Sequence, residues 1–386
     1  MAAGVPPMKR FALLVPLLAL AFMLACTARP TPTAPTSADA DLPSATMTPA
    51  EIVARATFTP TPAPTPTASP SPTPTPVPQP RQLTNAPGCC WAPFFLDDGR
   101  VAFLDKPSPE APTGYYAVPL TGGAPERIET RIGYYMGDGR YFVFWEGEQV
   151  VIEDRRDGMQ YRPPTEGRSV SLLPDGEHIL WSVRDSDSSI PFDQRITRVW
   201  QARLDGSEAR EVLRLQGGGV VALLPDGTWL LERTAEDDET VRVLERYNAA
   251  TETRVELFRA ARMRSERLAP DGGFLLFFVA QDQVRERNGM WLLPLDGGEP
   301  QKLPWFGAYA WEDGDHILYL PFQAAAESHQ IRRYTISTGA DEALTDPAQT
   351  PFKVAQNNFA FAPDRSGMVY VSATDLSLYW LPLPGR

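Results

Sequence analysis

The sequence is poor in the side chains that bind metals and attack substrates. It holds three histidines and three cysteines in 386 residues. His178 and His316 stand far apart in the chain, and His329 has no cysteine, aspartate or histidine at ligand spacing, so no metal site is expected. The stretch Asp185-Ser186-Asp187-Ser188 lacks the glycine and closing glutamate of a calcium loop. No Gly-x-Ser-x-Gly elbow raises a nucleophilic serine above a sheet. No catalytic residues and no cofactor are therefore expected, and the chain is read as not an enzyme. Positive charge is in deficit as well: the formal net charge is -12, which argues against nucleic acid or an anionic membrane surface as partner, because both select basic patches. Nor is there a long hydrophobic run. The apolar stretch at residues 11–25 falls short of the about 20 residues that cross a bilayer.

That stretch follows Lys9-Arg10 and stops at Cys26, which is the order of an export signal over residues 1–25. The tetrapeptide Met23-Leu24-Ala25-Cys26 resembles the lipobox of bacterial lipoproteins. The resemblance implies cleavage before Cys26, lipidation of its thiol and anchoring of an exported chain to a membrane through lipid alone. An ordinary signal peptide and a secreted product is the alternative. Residues 26–80 are dominated by proline, threonine, serine and alanine, as in Pro70-Ser71-Pro72-Thr73-Pro74-Thr75-Pro76. Such a segment cannot bury a core and favours extended polyproline II, so it reads as a disordered tether.

Residues 81–386 carry a repeat. Asp-Gly recurs at Asp98-Gly99, Asp138-Gly139, Asp175-Gly176, Asp226-Gly227, Asp271-Gly272 and Asp313-Gly314, with a degenerate seventh copy, Asp364-Arg365-Ser366-Gly367. Each copy has an apolar residue three positions before the aspartate and an apolar run after the glycine, such as Phe274-Leu275-Leu276-Phe277-Phe278. An apolar strand, a tight turn and a second apolar strand make a hairpin. Second turns such as Leu295-Asp296-Gly297-Gly298 add another hairpin, giving four strands per repeat. The spacing of the repeats is that of a propeller blade.

These units resemble the TolB-type propeller repeat, a branch of the WD-repeat-like propellers, through Leu173-Pro174-Asp175-Gly176, Leu224-Pro225-Asp226-Gly227, Ala269-Pro270-Asp271-Gly272 and Ala362-Pro363-Asp364. The resemblance implies an all-β fold, a single seven-bladed propeller, with six or eight blades as alternatives. The last repeat stops after its third strand, and Arg81-Gln82-Leu83-Thr84 reads as an orphan fourth strand that closes the ring. No catalytic domain follows of the kind that dipeptidyl-peptidase-type hydrolases join to a similar propeller, and the sialidase pattern Ser-x-Asp-x-Gly-x-Thr-Trp is missing.

In this topology all Asp-Gly turns share one face, and the loops between second and third strands share the other. The seventh position before each aspartate falls at the loop-side mouth of the channel. It reads Trp91, Arg131, Arg168, Gly219, Arg264, Phe306 and Asn357. Three arginines with two aromatics suit a carboxylate, phosphate or glycan; the alternative is that they pair with local acids such as Glu266. Cys89-Cys90, beside Trp91, either closes a vicinal disulfide or stands as two small buried hydrophobes. The function expected is a monomeric binding scaffold in the cell envelope that engages a protein or glycan through its loop face. The alternative is a propeller lyase or hydrolase acting on polysaccharide with Tyr134 and Arg267.

Overall fold

The computed structural model describes residues 77–384 apart from 86, 87, 109, 138, 192 and 193. The chain divides into two units, Met1–Ser71 and Pro72–Arg386. The signal peptide, Cys26 and the tether through residue 76 lie outside the described residues.

The described chain forms seven four-stranded antiparallel sheets. Blade 1 opens with Trp91–Phe95, blade 2 with Gly133–Met136, blade 3 with Ser171–Leu172 and blade 4 with Gly219–Leu223. Blades 5, 6 and 7 open with Met263–Leu268, Gly307–Trp311 and Val354–Phe361. A 3-10 turn at Arg285–Arg287 lies between the second and third strands of blade 5.

The apolar runs after each turn are continuous because a blade is covered on both faces. Side chains alternate across a strand, so a run without polar residues feeds two cores. Leu275 and Phe277 pack in the core between blades 4 and 5, while Leu276 between them packs in the core between blades 5 and 6. Ile317 and Tyr319 likewise face blade 5, and Leu318 and Leu320 face blade 7. All of these are buried.

The turns explain the repeated aspartate. In the six copies whose aspartate is described, its Oδ1 accepts the amide of the residue two positions on, at 2.9–3.0 Å. This is an Asx-turn, and in five of the six copies the next residue lies in the left-handed region. Gly99, Gly176, Gly227 and Gly272 take φ of 79°, 71°, 80° and 76° there, and in the degenerate seventh copy Arg365 takes 61°. The aspartate alone therefore holds the turn where glycine is missing.

The ring closes as the two ends of the domain imply. Arg81–Gln82 is the fourth strand of blade 7, with Arg81 opposite Trp380 and Gln82 opposite Tyr379. The Leu83 amide donates to the Leu378 carbonyl at 2.7 Å, and the Leu378 amide donates to the Thr84 hydroxyl at 3.1 Å. Leu83 is buried in a core that joins blade 7 to blade 1, alongside Val101, Phe103 and Val371.

Candidate functional site

Strand alternation puts the start of every first strand and the end of every second strand at the face opposite the Asp turns. Five longer connections between second and third strands rise from that face, between residues 105 and 114, 184 and 196, 234 and 242, 279 and 289, and 321 and 332. Most of the large apolar side chains left exposed also stand there: Trp91, Ile132, Trp145, Val284, Phe306, Phe322 and Leu376. Exposed apolar surface gathered on one face marks a place where something binds.

The larger cavity is a cleft of about 1,190 Å³ running along the first strands of blades 6 and 7 and reaching blade 5. One wall is aromatic. The Phe306 ring lies 4.8 Å from Phe278 and 5.7 Å from Phe322, and Phe306 and Phe322 are 44% and 68% exposed. The Phe322 amide donates to the Phe306 carbonyl at 2.8 Å, which holds the two rings together where blade 6 begins and turns. The opposite wall carries Lys353, Gln356 and Asn357. Gln356 and Asn357 both take positive φ, 49° and 59°, inside a bulge between Val354 and Phe359. Neither residue is glycine, and Asn enters this left-handed region more readily than Gln.

Arg267, Tyr309 and His329 also line the cleft. The Tyr309 hydroxyl donates to the Leu276 carbonyl at 3.2 Å, and burial pushes its phenol well above the usual range. The Val354 amide donates to His329 Nδ1 at 3.2 Å, which leaves Nε2 to carry the proton. Burial, with Lys353 nearby, lowers the pKa of this imidazole, so it serves as a neutral donor.

A second cavity, of about 510 Å³, lies among blades 3, 4 and 5 and is lined by Arg184, Gly218, Gly219, Glu232, Arg242, Arg262, Met263 and Arg264. Both cavities draw on the first strand of blade 5, which contributes Arg264 to one and Arg267 to the other across a bulge.

The residues of the mouth register separate into three groups. Gly219 and Arg264 meet in the arginine-lined cavity, and Phe306 and Asn357 meet in the cleft. Trp91 is 55% exposed at the start of blade 1, where the Ala92 amide donates to Asn358 Oδ1 of blade 7 at 3.2 Å. Arg131 and Arg168 line neither cavity. Arg131 is held by Glu129 and Glu153 and lies 4.0 Å above the Phe144 ring. Its hydrogen bonds with Glu129, then Glu153, raise its pKa. The sulfurs of Cys89 and Cys90 are bonded to each other and buried in the core between blades 7 and 1, with the Thr84 hydroxyl 3.2 Å from Cys89 Sγ. Tyr134 donates its hydroxyl to the Val170 carbonyl at 2.7 Å and accepts the Val170 amide at 2.8 Å, so its phenol is a strut between blades 2 and 3. His178 and His316 each bond through Nδ1 to the aspartate of their own turn.

Arg184, Arg242 and Arg262 are missed by the repeat register. Arg184 ends the second strand of blade 3, Arg242 begins the third strand of blade 4 and Arg262 precedes blade 5. All three positions lie at the loop face by topology, but loop length decides which of them reach the channel.

No family model matches the chain, and no curated protein matches it in sequence. Its similarity is to solved structures. An oligogalacturonate lyase in complex with manganese matches over 79% of this chain and 93% of its own, at 15% identity and a TM-score of 0.56. The acylaminoacyl peptidase of Pyrococcus horikoshii matches over 76% of this chain and 51% of its own, at 15% identity and a TM-score of 0.52. TolB from Acinetobacter baumannii also matches, over 61% of this chain and 59% of its own, at 14% identity and a TM-score of 0.38. Among the described residues no three His, Cys, Asp or Glu side chains come together where they could hold a metal ion. The expectation that the chain is not an enzyme is corrected by these likenesses, because two of these three structures are enzymes. The physical reason is that a propeller delivers its mouth residues one blade at a time. A reactive set on this fold leaves no contiguous motif, and the lack of one in the sequence excludes nothing. What these similarities establish is the fold: the described residues form a seven-bladed β-propeller.

Proposed function

We propose that the chain is exported, is anchored to a membrane through Cys26, and binds an extended glycan in the cleft of its loop face. The observation that carries this reading is the pairing of exposed aromatic rings with side-chain amides across one cavity. A sugar has an apolar C–H face that packs on rings such as Phe306 and Phe322, and hydroxyls at its rim that pair with Asn357, Gln356 and Lys353. A concave cleft of about 1,190 Å³ accommodates several sugar units, whereas a protein partner needs a broad, flatter contact. An oligosaccharide lyase of similar fold supports the same substrate class. Export is supported by the signal-like segment ahead of Cys26 and by the joined Cys89 and Cys90, since disulfides persist in oxidising compartments.

The test is a panel of neutral and acidic oligosaccharides titrated against the protein and against Phe306→Ala and Phe322→Ala, with the length of the glycan followed over time. The reading requires at least one ligand whose affinity falls about tenfold or more in either variant, the size of one lost ring contact. Equal binding by all three proteins would overturn it. Shortening of the glycan would add turnover to binding.

A further inference from the structure

The cavity among blades 3, 4 and 5 has a chemistry of its own. Four guanidinium groups line it, and Glu232 is the one carboxylate in the lining. The four arginines come from three stretches of the chain, Arg262 and Arg264 from one of them, and the fold gathers them around one cavity. Arg184 is fixed in place, donating from Nε to the Thr197 hydroxyl at 3.0 Å and from Nη2 to the Gly218 carbonyl at 2.8 Å. Burial, then the neighbouring Arg195 and Arg242, lowers its pKa. Burial and the nearby Glu266 push the Glu232 carboxyl up, towards the neutral form. The chain has a net charge of -12, yet here it sets four guanidinium groups around one cavity, with Arg242 3.8 Å from Glu232.

We propose that this cavity is an oxyanion site, which takes a carboxylate or phosphate group carried by the ligand of the loop face. Guanidinium forks match both groups bidentately, and several around one cavity fix orientation as well as charge. The inference rests on the glycan reading above and deepens it: the glycan is an acidic one. The first strand of blade 5 links the two sites, with Arg264 at the oxyanion cavity and Arg267 at the cleft.

The test uses two simple probes, galacturonic acid and inorganic phosphate, titrated calorimetrically at low salt. Binding of galacturonic acid alone identifies a carboxylate ligand, binding of phosphate alone a phosphorylated one, and binding of both a general oxyanion site. Each of these supports the proposal if Arg264→Ala weakens the binding about ten- to a hundredfold and raising the salt weakens it further. Arg264 is exposed, so this variant folds, and Arg264→Lys retains part of the affinity because it keeps the charge and loses the fork. Arg168→Ala, an exposed arginine in the same register outside both cavities, binds as the parent does. The proposal falls if neither probe binds, or if Arg264→Ala and Arg168→Ala behave alike. If the parent protein binds neither probe but still holds neutral oligosaccharides through Phe306, this site falls and the cleft stands.

Discussion

Arg131 and Arg264 occupy the same register in the second and fifth repeats and do different work. Arg264 faces an open cavity, whereas Arg131 spans the end of blade 1 and the third strand of blade 2 through Glu129 and Glu153. Removing Arg131 leaves Glu129, which is 8% exposed, without its ion pair. Breaking a fully buried pair costs about 3–5 kcal/mol; the Arg131 side chain is 36% exposed, so Arg131→Ala is expected to cost about 1–3 kcal/mol. Arg168→Ala is expected to change stability by less than about 0.5 kcal/mol. Urea unfolding of the two variants checks this, and equal midpoints would remove the latch. Tyr134 makes a parallel case. Tyr134→Phe strands both the amide and the carbonyl of the buried Val170 and is expected to cost about 1–3 kcal/mol. Glycan affinity is expected to stay unchanged, and its loss would return the phenol to the binding site.

At the scale of the element, the hairpin turn is the best-specified piece of this chain, and it titrates. Burial pushes the Asp313 carboxyl up, but the amides of Asp315 and His316 and the His316 ring outweigh it and hold it at about 2. A carboxyl held below its ordinary value of 3.8 stabilises the fold fully above that value. The contribution fades as the pH falls through about 2. Asp313→Asn is therefore expected to be less stable than the parent above pH about 5, with the gap narrowing below pH about 4 and closing near pH 2. Thermal melts across that range check it; a gap that stays constant with pH would mean that turn geometry alone matters. The same turns show what the sequence makes legible. Asp-Gly spacing gives blade number, strand order and the face on which each loop lies, because one turn geometry demands one residue pattern. The mouth register also finds Arg264, Phe306 and Asn357, since the chain runs from each of them straight into the Asp turn with no loop between. It cannot separate Arg131 from Arg264, because the difference lies in Glu153, a residue of another strand that only the folded register brings near. Arg242 is hidden for a related reason: the loops between second and third strands differ in length from blade to blade, so the start of a third strand carries no fixed offset from the aspartate.

For the whole molecule, everything at the mouth depends on a ring that stays shut, and the ring is shut by the first described residues. Pro78 accepts the Thr350 hydroxyl at 2.9 Å, the Gln79 side-chain amide donates to the Gln349 carbonyl at 2.8 Å, and the Arg81 guanidinium bonds to the Leu120 carbonyl. This short segment thus ties blades 6, 7 and 1 to one another. The cleft uses blades 5 to 7, so its shape depends on that closure. A variant lacking residues 1–76 keeps all of these contacts and is expected to melt as the full chain does. One lacking residues 1–85 loses the fourth strand of blade 7, the burial of Leu83 and the Thr84 hydroxyl that accepts the Leu378 amide. Burial of a leucine is worth about 1.5–3 kcal/mol and each hydrogen bond about 1 kcal/mol, so the loss is expected to reach about 4 kcal/mol or more. The exposed edge of Leu378–Pro382 is then free to pair with another copy, which light scattering would report as association. A synthetic peptide of residues 77–85 is expected to restore both the melting temperature and glycan binding by adding the missing strand in trans. If the peptide restores neither, or if the variant lacking residues 1–85 is as stable as the one lacking residues 1–76, closure by this strand does not hold the mouth together.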